Sequence, residues 1–374
     1  MKDPRMQKLA DIIVTYSCSV QKGDKVLIET TDEAAIPLAE LLVDRVAEAG
    51  GTAFVNIYNT RIKRKVITRA TDEWYDIMRE IDLARMKKMD AYINIDARAS
   101  SSELEDVPIV KLASYRERYV QPVHFEERLN NTKWCSLAFP NPAYAQAAGM
   151  SQEAFTDFFY KVCTLDYGNM SKAMDPFAEL LQKTDMVRIT GPGRTDLRLS
   201  VKGLPAVKCS GRENIPDGEV FSAPVRDSVN GVIEFNTPTE YQGKRFENIV
   251  LTFKDGRITD FSGTNRPHLE AIFNTDEGAR YTGEFAFGVN PYISKPMNDC
   301  LFDEKIAGSI HLTPGTCFSD CDNGNKSAIH WDLILIQTPE YGGGEIWFDD
   351  VLIRKDGIFV LPELKGLNPE NLRR

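Results

Sequence analysis

Short β-rich runs alternate with helical patterns in the first half of the chain. Strands are predicted over residues 25–30, 53–58 and 91–96, and a further strand over 134–139. Apolar residues recur at helical spacing from Leu38 to Ala49 and end at two glycines, which is typical of a helix stop. A second helix is predicted to begin after the N-cap residue Ser151. Strands separated by helices indicate right-handed crossovers and a parallel sheet.

The pattern changes after Pro176, which is predicted to interrupt a helix. From about residue 185, short strands are predicted over 186–190 and 196–201. Farther on, Asp255-Gly256 and Asp356-Gly357 each separate two β-rich runs, which is a strong indication of a hairpin. The sequence therefore predicts an α/β protein with an N-terminal parallel α/β domain, residues 1–185, and a mostly antiparallel α+β domain, residues 186–374.

Composition narrows the possible functions of this 374-residue chain. It carries 45 Lys and Arg against 55 Asp and Glu, so its formal charge is −10, which argues against a nucleic-acid binder and suits a site for cations. No apolar run approaches the ~18 residues of a membrane span, and the start has no apolar signal core. The seven cysteines are scattered, as expected for reduced thiols. We therefore expect a cytoplasmic protein that contacts no membrane.

His330 and Asp332 form a compact candidate for metal binding. Residues 327–336 are predicted to form a strand, in which side chains at i and i+2 point to the same face. His330 and Asp332 would then present an imidazole nitrogen and carboxylate oxygens together, as half of a divalent-metal site. A structural hydrogen-bonded pair is an equally good interpretation of this spacing alone.

Further candidate ligands lie in the same half of the chain. His311 is in a second β-rich run, and Glu219 and Glu284 each follow a glycine at the start of an apolar run. A carboxylate in such a place is partly buried, which is costly unless it is paired or bound to a metal. Taken singly, Glu219 and Glu284 are each better interpreted as exposed strand-end residues, and Glu304 could likewise lie in an exposed turn. Their number in one half of the chain favours a shared site.

Four segments of the second half together carry a family resemblance: residues 214–224, 281–286, 303–312 and 327–332. In their order and separation they closely resemble the thermophilic-aminopeptidase family of metallopeptidases, which includes aminopeptidases S and T. The resemblance implies a homodimer that encloses its active-site cavity, peptide substrates, and release of the amino-terminal residue. It also implies two divalent metal ions (zinc, cobalt or manganese) with the ligands Glu219, Glu284, Glu304, His311, His330 and Asp332.

The expected chemistry follows from this ligand set. Its four carboxylates carry as much negative charge as two divalent ions carry positive charge. Two such ions about 3.5–4 Å apart can share a water molecule, lower its pKa and polarise the scissile carbonyl. A glutamate would then carry the proton from this water to the leaving amine, and we assign that catalytic role to Glu284.

The chain also departs from the family. Phe318 stands where members usually carry a tyrosine, so one donor to a tetrahedral oxyanion is missing if that hydroxyl serves there. Cys317 and Cys321 could form a thiolate zinc site or be idle thiols. Two other functions stay open: a mononuclear iron dioxygenase of dihydroxypyridine-type rings from the same superfamily, and a non-catalytic metal or peptide binder. A mononuclear site would not need all three glutamates, which favours the peptidase.

Two further features of the first half are interpreted as structural. His124 has no partner pattern near it, so we expect it to be a structural histidine. The positive charges from Arg61 to Lys65 are typical of a solvated helix face.

Overall fold

The computed structural model describes residues 3–100, 102–242 and 244–373. Its contacts divide the chain into two compact units, one running up to Leu165 together with 211–216, the other formed by the remainder. The first unit contains, in chain order, α1 (Pro4–Ile12), β1 (Lys25–Thr31), α2 (Ile36–Glu48), β2 (Thr52–Tyr58), α3 (Thr60–Arg69), α4 (Asp72–Met86), β3 (Ala91–Asp96), α5 (Ile109–Tyr115), α6 (Leu129–Asn131), β4 (Lys133–Ala138), α7 (Pro142–Ala147) and α8 (Gln152–Cys163).

The strands of the first unit form a parallel sheet, as predicted. β1 lies between β2 and β3, β4 continues the sheet beside β3, and the short strand Asn214–Ile215 closes it beside β4. A wide helix of π type, Arg116–Arg128, continues from α5 and leads to α6. Helices connect successive strands, so the expected parallel α/β architecture of the N-terminal half is confirmed.

Local signals account for the helix ends of this unit. The Ser151 side chain accepts a hydrogen bond from the Ala154 backbone N–H at 3.2 Å, which makes Ser151 the N-cap of α8. One face of α8 is buried, including Phe155 and Phe159, as its apolar spacing predicts. Among the described residues, no helix is long and apolar enough to cross a membrane.

The second unit is built mainly from antiparallel strands. Its part of the chain contains α9 (Tyr167–Lys183), β5 (Met186–Thr190), β6 (Asp196–Ser200), β7 (Val207–Cys209), then β8 (Asn214–Ile215) of the first unit, β9 (Glu219–Ser222), β10 (Asn230–Glu234), β11 (Thr239–Tyr241), β12 (Lys244–Phe246), β13 (Val250–Lys254), β14 (Arg257–Ser262), α10 (Arg266–Phe273), β15 (Thr282–Gly288), α11 (Cys300–Asp303), β16 (Ser309–Pro314), β17 (Leu333–Ile336), β18 (Glu345–Phe348), β19 (Val351–Lys355), β20 (Ile358–Phe359) and α12 (Pro369–Leu372).

Two larger sheets organise these strands. The eight-stranded sheet has the order β14-β13-β10-β6-β5-β18-β19-β20, and the five-stranded sheet has the order β17-β16-β15-β9-β7. Both hairpins expected at Asp-Gly pairs are present, because β13 pairs antiparallel with β14 and β19 with β20. Aromatic side chains fill the core, and the Phe287 ring of β15 lies 4.8 Å from that of Phe177. The predicted change from a parallel to a mostly antiparallel architecture is confirmed.

The prediction that Pro176 interrupts a helix is wrong, because α9 continues through it. The helix buries Met170, Met174 and Phe177 along one face, and this packing outweighs the loss of one backbone donor. Since Phe177 packs on Phe287, α9 belongs to the second unit. The division into compact units thus falls after Leu165, earlier than the boundary expected at residue 185.

The strand predicted over 327–336 is present only in its second half, as β17 (Leu333–Ile336). Before it, His330 makes only an isolated bridge to Gly315, and the Asp332 carboxylate accepts a hydrogen bond from the Thr313 hydroxyl. The chain around His330 and Asp332 is therefore irregular and is held by side-chain contacts, so the alternation expected of a strand does not explain where these two side chains point.

Candidate metal centre

Three of the predicted ligands project from neighbouring strands of the five-stranded sheet. In the register of this sheet, His311 of β16 lies opposite Ala286 of β15, and Glu219 of β9 lies opposite Gly288. Glu284 shares the face of Ala286 and Gly288 because alternate residues of a strand point the same way. The small residues at 286 and 288 leave space between the larger side chains. The sheet thus brings Glu219, Glu284 and His311 together.

These three side chains are buried and close to one another. His311 Nε2 lies 3.5 Å from Glu219 Oε2 and 3.5 Å from Glu284 Oε1. Glu219, Glu284 and His311 are exposed by only 6%, 3% and 1%. Within the described part of the chain, Glu219 Oε2 and His311 Nδ1 are buried and accept or donate no hydrogen bond. Such atoms are costly without a partner, so the donor set fits a bound cation.

His330 and Asp332 complete this cluster from the irregular segment before β17. His330 Nε2 lies 3.3 Å from Glu284 Oε2 and 3.5 Å from Asp332 Oδ1. The other ring nitrogen, Nδ1, lies 2.8 Å from the Thr316 carbonyl oxygen, to which it can donate. When Nδ1 donates this hydrogen bond, the neutral ring has its lone pair on Nε2, as is usual for a histidine that binds a metal.

Glu304 reaches the cluster from the end of α11, through a buried lysine that sequence reasoning did not identify. Lys305 Nζ lies 2.6 Å from Glu304 Oε1, 2.8 Å from Glu219 Oε1 and 3.7 Å from Asp217 Oδ1. The Lys305 side chain is almost fully buried. No local pattern marks it, because its burial depends on Glu219, which lies far away in the sequence.

Two cysteines lie at the edge of the cluster. Cys300 Sγ is 3.3 Å from Asp332 Oδ2 and 3.7 Å from Glu304 Oε2, and Cys209 pairs with Glu219 across β7 and β9.

Among the described residues, four groups of three potential donors lie within 4.8 Å: Cys209, Asp217 and Glu219; Glu219, Glu304 and His311; Glu284, His311 and Asp332; and Cys300, Glu304 and Asp332. All six ligands implied by the family resemblance therefore meet in one region, with His330 beside the third group.

Cys317 and Cys321 are in none of these four groups of described residues. The Cys317 thiol lies 3.2 Å from Asp322 Oδ1, and the Cys321 thiol lies 3.3 Å from the Pro205 carbonyl oxygen. Burial raises the pKa of both thiols, which opposes the thiolate form that zinc needs. The structure therefore offers no support for a separate thiolate zinc site.

The electrostatics of the cluster favour added positive charge. Burial alone would raise the pKa of Glu284, but His311 and His330 outweigh it and lower this pKa to about 2. Burial alone would lower the pKa of both histidines, yet the surrounding carboxylates raise the pKa of His311 to about 9 and of His330 to about 10. Burial raises the pKa of Glu304 to about 8. Protons therefore occupy the places that metal cations would take.

Phe318 lies directly beside the cluster. Its ring centroid is 4.6 Å from that of His330, and the side chain is about half exposed. The position at which the family resemblance leads us to expect a tyrosine thus adjoins a predicted ligand. Phenylalanine contributes an apolar wall there and no hydroxyl donor.

Comparison with known proteins identifies the class to which this fold and cluster belong. The model of the family described as "Thermophilic metalloprotease (M29)" matches residues 2–343. The chain belongs to this family of metalloproteases, and it is therefore a hydrolase. The resemblance carried by the four sequence segments is confirmed.

Individual relatives agree with this assignment over most of the chain. Aminopeptidase 2 of Geobacillus stearothermophilus is 24% identical over an alignment 405 residues long, gaps included, which covers 95% of this chain and 95% of the relative. The structure of wild-type AmpT from Thermus thermophilus has a TM-score of 0.79 at 22% identity and covers 96% of this chain and 99% of its own.

A similar fold also occurs in an oxygenase. The structure of 2,5-dihydroxypyridine dioxygenase from Pseudomonas putida KT2440 has a TM-score of 0.64 at 13% identity, with coverage of 98% and 99%. At this identity the likeness shows the fold alone. The family match is to metalloproteases, so the dioxygenase alternative is not favoured.

Proposed function

We propose that this protein is an aminopeptidase that releases the amino-terminal residue of peptides by a metal-dependent reaction. The observation that carries this proposal is the convergence of Glu219, Glu284, His311, His330 and Asp332 on one buried point of a chain from a metalloprotease family. The relatives named aminopeptidases support the same activity.

The proposal includes two divalent metal ions, which can be zinc, cobalt or manganese. Two of the donor groups share His311, and together with His330 they supply the full set of proposed ligands: Glu219, Glu284, Glu304, His311, His330 and Asp332. The four carboxylates match the charge of two such ions. In the total charge Asp217 balances Lys305, although Lys305 Nζ lies nearer to Glu304 and Glu219 than to Asp217. Bound ions would lower the pKa of a shared water and polarise the scissile carbonyl.

The protein's own side chains prepare this reaction. Glu284 contacts both histidines and is buried, so it is suited to take a proton from the attacking water and pass it to the leaving amine. The Thr316 carbonyl oxygen orients the ring of His330. Lys305 compensates the charges of Glu219 and Glu304 and holds both carboxylates in place.

A homodimer and a cytoplasmic location are part of this proposal. The homodimer rests on the family resemblance, and the location rests on the scattered cysteines, as expected for reduced thiols. Light scattering coupled to gel filtration tests the first, with twice the chain mass of 42.1 kDa as the expected result. A monomer at micromolar concentration would contradict it.

Hydrolysis of leucyl-p-nitroanilide by chelator-stripped protein tests the activity. We expect release of the chromophore only after zinc, cobalt or manganese is added, and none from the N-acetylated substrate, which has no free α-amine. Oxygen uptake on 2,5-dihydroxypyridine with one iron per chain would establish the dioxygenase instead. Tight metal binding with neither activity would leave a non-catalytic binder.

A further inference from the structure

The first unit contains a cavity that is unrelated to the metal-ligand cluster of the second. It has a volume of about 360 Å³ and is lined by residues of β1, β2 and β3 below and of α3, α4 and the π-type helix above. In the order β2-β1-β3-β4, the chain moves from β1 to β2 on one side and then crosses to β3 on the other. Parallel sheets bind ligands near the carboxyl ends of the strands at such a switch point.

The floor of this cavity is polar, although the faces of a buried parallel sheet are normally apolar. Glu29 of β1 lies in register with Asn56 of β2 and Asn94 of β3. The buried Glu29 carboxylate accepts hydrogen bonds from Tyr92 Oη at 2.6 Å, Asn56 Nδ2 at 2.8 Å and Tyr58 Oη at 3.2 Å. Three donors therefore already occupy the Glu29 carboxylate, which holds the rings of Tyr58 and Tyr92 in fixed positions.

Aromatic rings form the walls. The rings of Tyr115 and Tyr119 are stacked at 5.3 Å, and His124 meets the rings of Tyr92 and Tyr119 edge-on at 5.9 Å each. Burial lowers the pKa of His124 to about 4, so this ring is neutral at pH 7. His124, expected from sequence to be structural, thus lines the cavity, and the walls suit a planar aromatic ligand.

Lys63 brings a positive charge to the lining of the cavity, where Asp96 and Glu29 attract its ammonium and Arg98 repels it. It belongs to the positive run expected to be a solvated face and is exposed, and its ammonium lies 5.8 Å from the Tyr115 ring centroid. Among the described residues, Lys63 forms no ion pair, whereas Glu29 has Arg85 at 3.5 Å besides its three donors. The charge that a ligand meets here is therefore positive.

A phosphate group is disfavoured at the neighbouring strand ends. The Asp32 carboxylate, directly after β1, accepts hydrogen bonds from the backbone N–H groups of Thr60 and Ala99 and from the Asn59 side chain. These donors are the kind that a nucleotide phosphate would need, and a fixed negative charge already occupies them.

We propose that this cavity binds a small aromatic carboxylate, with its ring against the tyrosine rings and its carboxylate beside Lys63. The stacked walls select a planar ring, and the unpaired ammonium selects a negative charge. The proposal does not depend on the peptidase activity, because every residue that carries it lies in the first unit.

Three probes with the same ring test it: 4-hydroxyphenylacetate, the neutral 4-hydroxyphenylethanol and the cationic tyramine. Titration calorimetry on the full chain should give the tightest binding for the carboxylate and the weakest for tyramine. Lys63→Met should weaken carboxylate binding at least about threefold, the scale of one partly exposed ion pair, and leave the alcohol unchanged. Lys65→Met, a control on the same helix outside the cavity, should retain the wild-type order.

Several results would overturn the proposal. They are equal affinity for the three probes, a preference for tyramine, no binding at millimolar concentration, and tighter binding of adenosine monophosphate than of the carboxylate. Tyr115→Leu should weaken binding of the carboxylate and of the alcohol alike, because it removes one wall. Thermal unfolding of each variant establishes that the fold is intact before binding is compared.

Discussion

Replacing Lys305 by methionine keeps most of the apolar stem of the side chain but removes the buried cation between Glu219 and Glu304. Removing one partner of a buried ion pair costs about 3–5 kcal/mol, because the remaining charge has no counter-ion. Glu304, whose pKa burial raises to about 8, already holds a proton at pH 7, so the charge left without a counter-ion is that of Glu219. Protonating an ordinary glutamate at pH 7 costs about 3.7 kcal/mol. Since Lys305 Nζ lies 2.8 Å and 2.6 Å from the two carboxylates, we expect the metal-free variant to lose about 3–4 kcal/mol of unfolding free energy.

Urea unfolding of chelator-stripped and zinc-loaded protein measures this loss. Bound zinc would supply the missing positive charge, so the destabilisation should shrink clearly in the loaded variant. Lys355→Met is a matched control, because Lys355 pairs with Glu345 at 3.0 Å on the surface and should cost at most about 1 kcal/mol. A stripped Lys305→Met protein as stable as the control, or an equal loss with and without zinc, would refute the reasoning.

The remaining predictions concern the proposed chemistry and one helix end. Glu284→Gln should lower kcat for leucyl-p-nitroanilide by at least about 10²-fold while the fold survives, and near-wild-type kinetics would remove Glu284 from the mechanism. His330→Ala should reduce both the activity and the metal content found by elemental analysis. His268→Ala, on the exposed face of α10, is the control and should change neither. An unchanged metal content in His330→Ala would exclude a ligand role for His330. Ser151→Ala should cost about 1 kcal/mol in urea unfolding, because α8 loses its N-cap, and an unshifted midpoint would contradict that role.

The regular elements near the predicted metal ligands could be predicted from local pattern. The runs around Glu219, Glu284 and His311 form β9, β15 and β16, and the Asp-Gly hairpins are where the turn chemistry indicates. Each of these elements depends on residues only a few positions apart, so its pattern can be seen in a single sequence.

The predictions that failed depend on more distant contacts. The β propensity of 327–332 is overridden because His330 and Asp332 bond to Thr316 and Thr313 instead of joining a ladder. Pro176 stays inside a helix because that helix buries its apolar face. In both places the local preference of the residues is real, but tertiary contacts outweigh it.

The polar floor of the cavity in the first unit also shows which features a local pattern reveals and which depend on distant contacts. Glu29 and Asn94 are visible as polar residues within β-rich runs, but only the register of three strands shows that they form one floor. His124 and Lys63 looked unremarkable in the sequence because Tyr92 and Tyr115, the rings that they contact, lie in other elements.

By itself, the sequence determined the order of helices and strands, the change from parallel to antiparallel sheets, the family, and the six acidic and imidazole residues to consider. Only the tertiary structure decided that these six meet, that Lys305 lies buried among them, and that a cavity with a polar floor exists in the first unit. The physical reason is that periodicity reports which face of an element is buried. Which side chains share that buried space depends on strand order and register, and thus on contacts between residues far apart in the chain.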